Sequence, residues 1–538
     1  MTLAQRKKPS IYSPPTQQTN KLLTLPSAVG GLNARDNAAT MPPTCAIILE
    51  NFYPSRYGCQ VRRGWKQWFW DMPGASRVES LIKYNAANGT QQMFAARRGS
   101  FVNVTISKQY AVTDVVAGFG TFLNDRWQFT QLANITGTYT VAVNGADVPK
   151  KYDGAVWDDC ALTANMTTYP EFDAKKLIHV VQMHRRLWFT ERDSSRIWYL
   201  PVDEIQGEVK LFGLGEVFPR GGFLQCAISW SVDTGAGMDD LSVFISSRGN
   251  VAVFRGFDPD NAPTDFGLVG VYQIGATFSR RCAATYGSDV AILCEDGVVL
   301  LSTILAQSKM LMQPPLTDII QHLLSDEVNA FSKNFGWELI PIPRHNQFYI
   351  NVPVTGAPNQ LVMNSILEVW TRFIGYQSFC WALFNDEPFF GGTNYVGQAW
   401  VGGLDNPDPV TNEGVSIDAR CLQAFSNFGG AQQKIWNMAR PAFVADELPR
   451  FVLTFNTDYN VQQTYTPIPP STGTGIQAEW DTGIWDEDDW SGEQLAWSPW
   501  VSLHALGFVG SVYLRTSTTS QPVTWVSTDF ILISGGAL

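Results

Sequence analysis

The sequence predicts an all-β protein built around a β-propeller, with a flexible N-terminal arm and an additional C-terminal β domain. Three observations predict this fold: hairpin turn sequences, their recurrence along the chain, and the composition. The 538 residues include 45 Gly and 30 Pro, 13% are aromatic, and 45% are hydrophobic. Such a composition is typical of many short strands joined by tight turns, and the length allows two or three domains.

Hairpin turn sequences lie between pairs of short strand patterns. Asn88-Gly89, Asn144-Gly145 and Asp296-Gly297 each favour a two-residue loop, because both loop residues need positive φ. Residues 247–250 serve the same purpose between two further strand patterns. These hairpins recur every 40 to 60 residues, roughly the length of one four-stranded blade, which predicts about six or seven blades. A stack of β-sandwiches would give a similar pattern.

The composition divides the chain into four regions. These are a flexible arm at 1–24, a turn-rich segment at 25–74, the β-propeller at 75–405 and the C-terminal β domain at 406–538. The arm is rich in Pro and Gln and carries the basic run Arg6, Lys7 and Lys8. We expect it either to remain solvated or to order against a neighbouring subunit.

One segment near 316–333 departs from the strand pattern. Its apolar residues recur at 3.6-residue spacing after a Pro pair, which predicts an amphipathic helix of about four turns with Thr317 as its N-cap. The helix would pack on the side of a blade or be offered to a neighbouring subunit.

The charge balance disfavours a protein that grips nucleic acid. The net charge is −11, the sequence pI is near 5.0, and only 16% of residues are charged. Binding to phosphates needs clustered Lys and Arg. The eight cysteines form no C-x-x-C pair, so we expect free buried thiols and no zinc site. We expect no cofactor, no metal and no membrane span.

A search for catalytic motifs favours a non-enzymatic protein. The sequence contains no phosphate-binding loop, nucleophile elbow or H-E-x-x-H motif. We interpret His179 and His184 as structural. The main alternative is a tail-spike glycosidase acting on host polysaccharide, which needs two carboxyl groups roughly 5 to 9 Å apart. A sialidase-type turn begins at Ser231, but Met238 replaces its aromatic residue. A ligand-binding propeller is a third possibility.

Two stretches carry a resemblance to a known family. The first reads GGLNARD at 30–36, MPP at 41–43, LENFYP at 49–54 and RGW at 63–65. It resembles the opening of tail proteins from short-tailed bacteriophages. The second, at 480–490, spaces three Trp-led units as W-D-x-x-x-W-D-x-x-x-W and resembles the closing β domain of that family. The acidic run inside it could bind calcium, but a solvated turn is the simpler interpretation.

The resemblance implies a tail nozzle protein, also described as a tail-tube or packaged-DNA stabilisation protein. It implies a homohexameric ring in the virion tail, assembled in the host cytoplasm. The ring would lie below the portal and the adaptor, and tail fibres or spikes and a plug or needle would be its further partners. Its channel would retain and release the genome without sequence-specific binding. Six copies would carry a charge of about −66, and such a lumen would repel phosphate.

The motif residues have a structural interpretation. Arginines near turn glycines often brace loops by bonding to carbonyl groups and stacking on rings, so we favour loop bracing or subunit contact over DNA binding. The predicted residues are Gly31, Asn33, Arg35, Glu50, Asn51, Phe52, Pro54, Arg63, Gly64, Trp65, Trp480, Trp485 and Trp490.

Overall fold

The fold was analysed in a computed structural model that describes residues 20–233, 238–306, 314–406, 414–446, 448–461, 495–518 and 522–534. The basic run Arg6, Lys7 and Lys8 and the residues Trp480, Trp485 and Trp490 lie outside these ranges, as does the acidic run between the tryptophans. Within the described ranges the chain is all-β, with 43 strands and two α-helices.

The N-terminal segment contributes six strands. They are β1 (Lys21–Pro26), β2 (Gly31–Leu32), β3 (Cys45–Glu50), β4 (Phe52–Ser55), β5 (Gly58–Val61) and β6 (Trp65–Trp70).

The first two blades follow. Blade 1 contains β7 (Ser80–Asn85), β8 (Gln91–Arg97), β9 (Ser100–Asn103) and β11 (Val115–Ala117), with the short β10 (Lys108–Gln109) between the last two. Blade 2 contains β12 (Gln128–Asn134), β13 (Gly137–Val143), β14 (Lys150–Tyr152) and β15 (Trp157–Asp159), and the short β16 (Leu162–Thr163) follows it.

Blades 3 to 5 come next. Blade 3 contains β17 (Leu177–Met183), β18 (Arg186–Glu191), β19 (Arg196–Tyr199) and β21 (Lys210–Gly213), with β20 (Gly207–Glu208) before the last. Blade 4 contains β22 (Leu224–Asp233), β23 (Met238–Ser246), β24 (Asn250–Gly256) and β25 (Phe266–Gln273). Blade 5 contains β26 (Ala283–Tyr286), β27 (Asp289–Cys294) and β28 (Gly297–Leu300), followed by α1 (Leu301–Ala306) and α2 (Gln321–Phe331).

The last two blades complete the propeller. Blade 6 contains β29 (Glu338–Ile342), β30 (Gln347–Val352), β31 (Asn359–Asn364) and β32 (Val369–Ile374). Blade 7 contains β33 (Cys380–Phe384), β34 (Glu387–Gly391) and β35 (Val396–Ala399), and β6 pairs with β35 as its outermost strand. Short 3-10 helices occur at Val112–Asp114, Ala174–Lys176, Pro259–Asn261, Asp318–Ile320 and Pro343–His345.

The seven sheets close into a ring. The first strands of successive blades contact one another in the order β7, β12, β17, β22, β26, β29 and β33, and β33 returns to β7. This closed cycle defines a seven-bladed β-propeller among the described residues. We call the face at which these innermost strands begin the upper face.

Aromatic side chains fill the spaces between neighbouring blades. Between blades 3 and 4, the ring of Phe254 stacks on that of Phe266, with centroids 5.2 Å apart, and Trp188 lies 5.8 Å from Phe266. Phe94 and Trp157 meet edge to face at 5.3 Å between blades 1 and 2. Much of the high aromatic content is therefore used to pack one sheet against the next.

The remaining strands form a β-sandwich beside the propeller. Its later strands are β36 (Leu404–Asp405), β37 (Val415–Gln423), β38 (Lys434–Ala445), β39 (Arg450–Thr457), β40 (Leu495–Trp497), β41 (Val501–Gly507), β42 (Gly510–Thr518) and β43 (Thr524–Ser534). Sheet I joins β1, β4 and β5 to β43, β38, β40 and β41. Sheet II joins β2 and β3 to β37, β42 and β39.

The two sheets of the sandwich meet through a core of large aromatic residues. Trp436 of sheet I lies 4.9 Å from Phe455 of sheet II, measured between ring centroids, and Phe530 lies 5.5 Å from the same Phe455. Trp436 and Phe530 are fully buried. The alternation of buried and exposed residues along β38 and β43 places these rings on the inner face.

The arrangement of the chain differs from the sequence-based division at its N-terminal end. The predicted flexible arm reached residue 24, but the strand Lys21–Pro26 pairs with Thr524–Ser534 over six residue pairs. The turn-rich segment at 25–74 also consists of strands of the sandwich and, in β6, of blade 7. These pairings join residues several hundred positions apart, so local sequence patterns could not reveal them. The propeller is thus inserted between the two halves of the sandwich.

The predicted helix near 316–333 is present as a 3-10 turn followed by α2, whose buried residues include Leu324 and Val328. Thr317 does not cap it. Its side-chain oxygen instead accepts a hydrogen bond from the backbone N–H of Val298 at 3.0 Å, which ties the helix to blade 5.

No described helix is long and apolar enough to cross a membrane. The eight cysteines are all buried and unpaired by disulfides.

Candidate functional site

The first part of the motif forms a tight loop against the start of the helical segment. The Asn33 side-chain oxygen accepts hydrogen bonds from the backbone N–H groups of Arg35 and Asp36, at 3.1 and 2.9 Å. Arg35 pairs with Asp36 at 2.8 Å and also with Asp318. Its backbone N–H donates to the carbonyl of Ile319 at 3.1 Å. The loop is therefore fixed to the helical segment through carboxylates and backbone groups.

The second part of the motif lies where β3 and β4 meet. Glu50 pairs with Arg420 of the sandwich at 3.2 Å. Phe52 is fully buried, and its ring centroid lies 6.2 Å from that of Trp525. The carbonyl of Pro54 accepts a hydrogen bond from an asparagine side chain of blade 6 at 3.0 Å. This stretch thus contacts both sandwich sheets and one blade of the propeller.

A buried guanidinium lies at the centre of this region. Arg62 donates to Asp405 through two hydrogen bonds, at 2.8 and 2.6 Å, and to the carbonyl of Ile374 at 2.6 Å. Its Nε donates to the Asn51 side-chain oxygen at 2.9 Å, and the cation lies 4.4 Å from the ring centroid of Tyr376. A fifth bond reaches the next carbonyl in the chain at 3.0 Å. All five guanidinium N–H groups are satisfied.

Asn51 completes this cluster from the other side. Its backbone takes the left-handed conformation, with φ of 57°. Its side-chain amide donates to the carbonyl of Asp418 in the sandwich at 2.9 Å, while its oxygen also accepts from the backbone N–H of Ile374 at 2.8 Å. We call the cluster of Asn51, Arg62, Tyr376 and Asp405 the joint, because it ties the sandwich to blade 6 and to the segment leaving blade 7.

Two glycines of the motif permit close backbone approach at the joint. A Cβ on Gly64 would lie 1.7 Å from the carbonyl oxygen of Leu404, so no other residue fits without displacing the backbone. Gly31 has φ of 77°, and a Cβ there would lie 2.8 Å from the carbonyl oxygen of Trp370. Gly31 thus brings the sandwich segment against β32 of blade 6, and Gly64 brings the residues before β6 against β36.

The arginine selected from the sequence is not the one at the centre of the joint. The side chain of Arg63 is exposed, whereas the neighbouring Arg62 is buried. Trp65, also predicted, is buried and stacks on Tyr395 with ring centroids 5.0 Å apart. Sequence reasoning missed Asp405, which lies 343 positions from its partner. The signal that the sequence did offer was a basic residue directly after the buried strand residue Val61.

A second candidate site is a cavity of about 170 Å³ on the propeller axis. Its lining comes from the innermost strands of six blades and from the residues that precede two of them: Leu81, Trp127, Gln128, Phe129, His179, Arg280, Arg281, Ala283, Glu338, Leu339 and Trp381. These residues lie near the beginnings of the innermost strands, so the cavity is close to the upper face. We call it the axial cavity.

One ion pair lies in the lining of the axial cavity, between the neighbouring blades 5 and 6. Arg281 pairs with Glu338 at 3.2 Å, and both side chains are largely buried. The same guanidinium donates to Gln128 Oε1 at 3.3 Å and to the Ser80 hydroxyl at 2.9 Å. Burial raises the pKa of Glu338, while the charge of Arg281 opposes that shift. Among the described residues that line the cavity, Glu338 supplies the one carboxyl group.

A second arginine at the axial cavity is differently placed. Arg280 donates to the carbonyl of Asn144 at 3.3 Å. Burial, followed by the charges of Arg126, Arg192 and Arg281, lowers its pKa to about 10. His179 also faces the cavity, and burial together with the charge of Arg280 lowers its pKa to about 4. The imidazole is therefore neutral at pH 7.

An open groove of about 680 Å³ lies between blades 4 and 5 on the upper face. It is lined by Arg220 and Arg248 on one side and by Glu295 and Asp296 on the other. Arg248 donates to the carbonyl of Arg220 at 3.0 Å. Among the described residues, no group of three or more His, Cys, Asp or Glu side chains is placed to hold a metal ion.

The comparisons with known proteins concern the fold. No family model matches the chain, and no curated protein matches it. Among solved structures, the chain is similar to YCF48 from Cyanidioschyzon merolae, with 11% sequence identity and a TM-score of 0.37. The match covers 62% of this chain and 98% of the YCF48 chain. A structure of YCF48 bound to D1 peptide matches with 8% identity, coverage of 62% and 94%, and a TM-score of 0.33.

A further similar structure is a putative 6-phosphogluconolactonase from Bacteroides uniformis ATCC 8492, with 11% sequence identity and a TM-score of 0.31. The match covers 59% of this chain and 88% of the other chain. These values carry no inference about activity or partners. The closed ring of sheets and its contacts define the class: the chain is an all-β protein built around a β-propeller, with an additional β domain.

Proposed function

We propose that this chain is a virion structural protein of a short-tailed bacteriophage, and that six copies form the nozzle ring of the tail. The ring extends the DNA channel below the portal and the adaptor, and it helps to retain and release the genome. The chain assembles in the host cytoplasm and contacts tail fibres or spikes and a plug or needle. It performs no catalysis and needs no cofactor.

The observation that supports the proposal is the location of the motif residues. The described residues that carry the resemblance lie at the joint, in the strands beside it or in the loop fixed to the helical segment, and they bind a backbone carbonyl, carboxylates and aromatic rings of the same chain. A ring subunit that guides DNA under pressure must hold its two β units in a fixed relation. A motif that rigidifies the connection between them serves this purpose.

The outer face of sheet I offers a surface for contact between copies. Ile435 and Leu506 lie directly opposite each other on β38 and β41 and are 40% and 57% exposed. Leu22, on the same face of β1, is 60% exposed. Exposed apolar groups that line up across a sheet mark interaction surfaces. The proposal assigns this surface to a neighbouring subunit of the ring.

The first experiment locates the protein in the particle. An antibody against this chain should label the tail tip in electron micrographs of intact phage, and the purified chain mixed with portal and adaptor should form a ring of six. Label on the capsid, or a chain that stays monomeric with both partners present, would refute the assignment. Release of reducing sugars from host polysaccharide by the purified chain would favour the glycosidase instead.

A matched pair of variants tests the contact surface. Leu506→Lys places a charge in the apolar surface and should prevent ring formation while leaving the fold intact. Ile135→Lys changes a fully exposed residue in the turn between β12 and β13 and should leave assembly unchanged. Equal assembly of both variants, measured by native mass spectrometry, would exclude sheet I as the subunit interface.

A further inference from the structure

We propose that the upper end of the axial cavity binds a small oxyanion, a phosphate or a carboxylate, beside Arg280. The site lies inside one propeller and is separate from the role proposed for the chain in a tail. The result of its test therefore does not depend on whether the chain assembles into a ring.

The charges around the axial cavity do not balance. Arg281 and Glu338 neutralise each other at 3.2 Å. Among the described residues, Arg280 forms no ion pair. The guanidiniums of Arg126 and Arg192 lie nearby but have carboxylate partners of their own, Glu79 at 3.3 Å and Asp193 at 3.8 Å, so Arg280 is the cation that stays uncompensated. A partly buried cation surrounded by like charges is costly unless an anion accompanies it. The local excess of positive charge is unusual in a chain whose net charge is −11.

Arg126 and Arg192, the two arginines at the opening of the axial cavity, contact groups outside it. Arg126 pairs with Glu79 at 3.3 Å, and its cation lies 4.9 Å from the ring centroid of Phe335. Arg192 donates to the carbonyl of Gly145 at 3.0 Å. These contacts keep both guanidiniums near the opening on the upper face. Their positions on loops of blades 2 and 3 allow them to attract an anion toward Arg280.

Unpartnered polar atoms in the lining provide a second, independent indication. Gln128 is 8% exposed, and its Oε1 accepts from Arg281, which leaves the Nε2 amide group as a donor. In the described part of the chain, this Nε2, the Nε1 of Trp127 and the Nδ1 of His179 have no hydrogen-bond partner. Buried polar groups are almost always paired, so three such atoms in the lining of one cavity indicate a bound molecule. Together with the free N–H groups of Arg280, the amide donor favours an acceptor that carries negative charge.

The size of the cavity limits the ligand. A volume of about 170 Å³ corresponds to roughly five or six water molecules, each of which takes up about 30 Å³ in the liquid. This space holds a phosphate or a carboxylate with a few waters. The oxyanion is either a free ion or the end group of a partner chain. In both cases the group that binds is a small oxyanion that accepts hydrogen bonds.

The experiment uses the full-length chain with inorganic phosphate and with acetate as separate probes, in a chloride buffer. Isothermal titration should give saturable binding of at least one probe to the wild type. Arg280→Gln should weaken that binding at least about tenfold, because one charge-assisted hydrogen bond is lost. Arg56→Gln, an exposed arginine in the turn between β4 and β5, serves as the matched control and should bind like the wild type.

A second variant keeps the test decisive if Arg280→Gln folds poorly. Gln128→Glu places a carboxylate in the lining of the axial cavity next to Arg281, where its negative charge would oppose binding of either anionic probe. Phosphate binding that acetate cannot displace would indicate a phosphate ligand, and displacement by acetate would indicate a carboxylate. The proposal would be overturned if the wild type, both cavity variants and the control bound the probes with equal affinity. It would also be overturned if neither probe reached saturation at millimolar concentration.

Discussion

Replacing Arg62 by Met tests whether the joint holds the two β units together. The substitution keeps an unbranched side chain of similar length but removes all five donated hydrogen bonds. It leaves the carboxylate of Asp405 without both donors from Arg62, whereas the oxygen of Asn51 keeps the hydrogen bond from the backbone N–H of Ile374. The Arg62 side chain is fully buried and that of Asp405 is 12% exposed, so solvent offers little compensation.

The expected magnitude follows from this geometry. Breaking a buried ion pair by removing one partner costs about 3 to 5 kcal/mol, because the other charge stays buried and unpaired. The double variant Arg62→Met/Asp405→Leu removes that charge as well. It should cost less than the sum of the two single variants by about 1 to 3 kcal/mol. As the control, Arg185→Met breaks an exposed pair with Asp203 and should cost less than about 1 kcal/mol.

The assay is urea unfolding followed by tryptophan fluorescence, with the change in free energy taken from the shift of the midpoint at a common slope. Near-UV circular dichroism should verify that each variant is folded before the titration. A loss of stability below about 1 kcal/mol for Arg62→Met, or strict additivity in the double variant, would show that the joint does not carry the stability assigned to it.

Three further predictions concern single positions. His179 has a folded-state pKa of about 4 against 6.5 ordinarily, so the unfolded chain binds the extra proton between these values. Stability should therefore fall as the pH drops from 6.5 to 4, by up to about 3 kcal/mol, and His179→Gln should reduce this slope in urea titrations at each pH. Gly64→Ala should cost at least about 1 to 3 kcal/mol in the same assay, whereas Gly213→Ala, which meets open space, should be nearly neutral. Trp436→Ala should cost about 3 to 5 kcal/mol by removing a fully buried ring between the sandwich sheets, and an unchanged midpoint would contradict that core.

The sequence predicted the propeller because its signals are local. A turn such as Asn88-Gly89 and the alternation on either side of it lie within one hairpin. β7 and β8 do pair there as an antiparallel hairpin, but through a loop of residues 86–90 and not through the predicted two-residue loop. The sandwich was only half predicted, because β1 and β3 find their partners near the other end of the chain. Nothing within a window of a few residues distinguishes such strands from a turn-rich linker.

The candidate site residues also divide into those with local partners, which the sequence could indicate, and those whose partners are distant in the chain. Asn33 and Gly31 act within a short loop, and the motif pointed to both. The central ion pair joins Arg62 to Asp405, and the axial cavity collects one to three residues from each of six blades. A polar residue at the beginning of a blade, such as Gln128 or Glu338, looks ordinary in its own hairpin. Only closure of the ring brings these residues together.

The insertion of the propeller into the sandwich has a consequence for biosynthesis. Strands β1 to β5 leave the ribosome first, and β2 can pair with β3 and β4 with β5 at once. The sandwich partners of β1, β3 and β5 begin with Val415–Gln423. At 5 to 20 residues per second, translation of the intervening stretch takes roughly 20 to 70 s. During this time the blades can close one after another, while β1 and the open edges of β3 and β5 wait for their partners. A nascent chain of this kind exposes apolar edges for an extended period, which makes it a natural client for chaperones that shield such edges until the last strand is made.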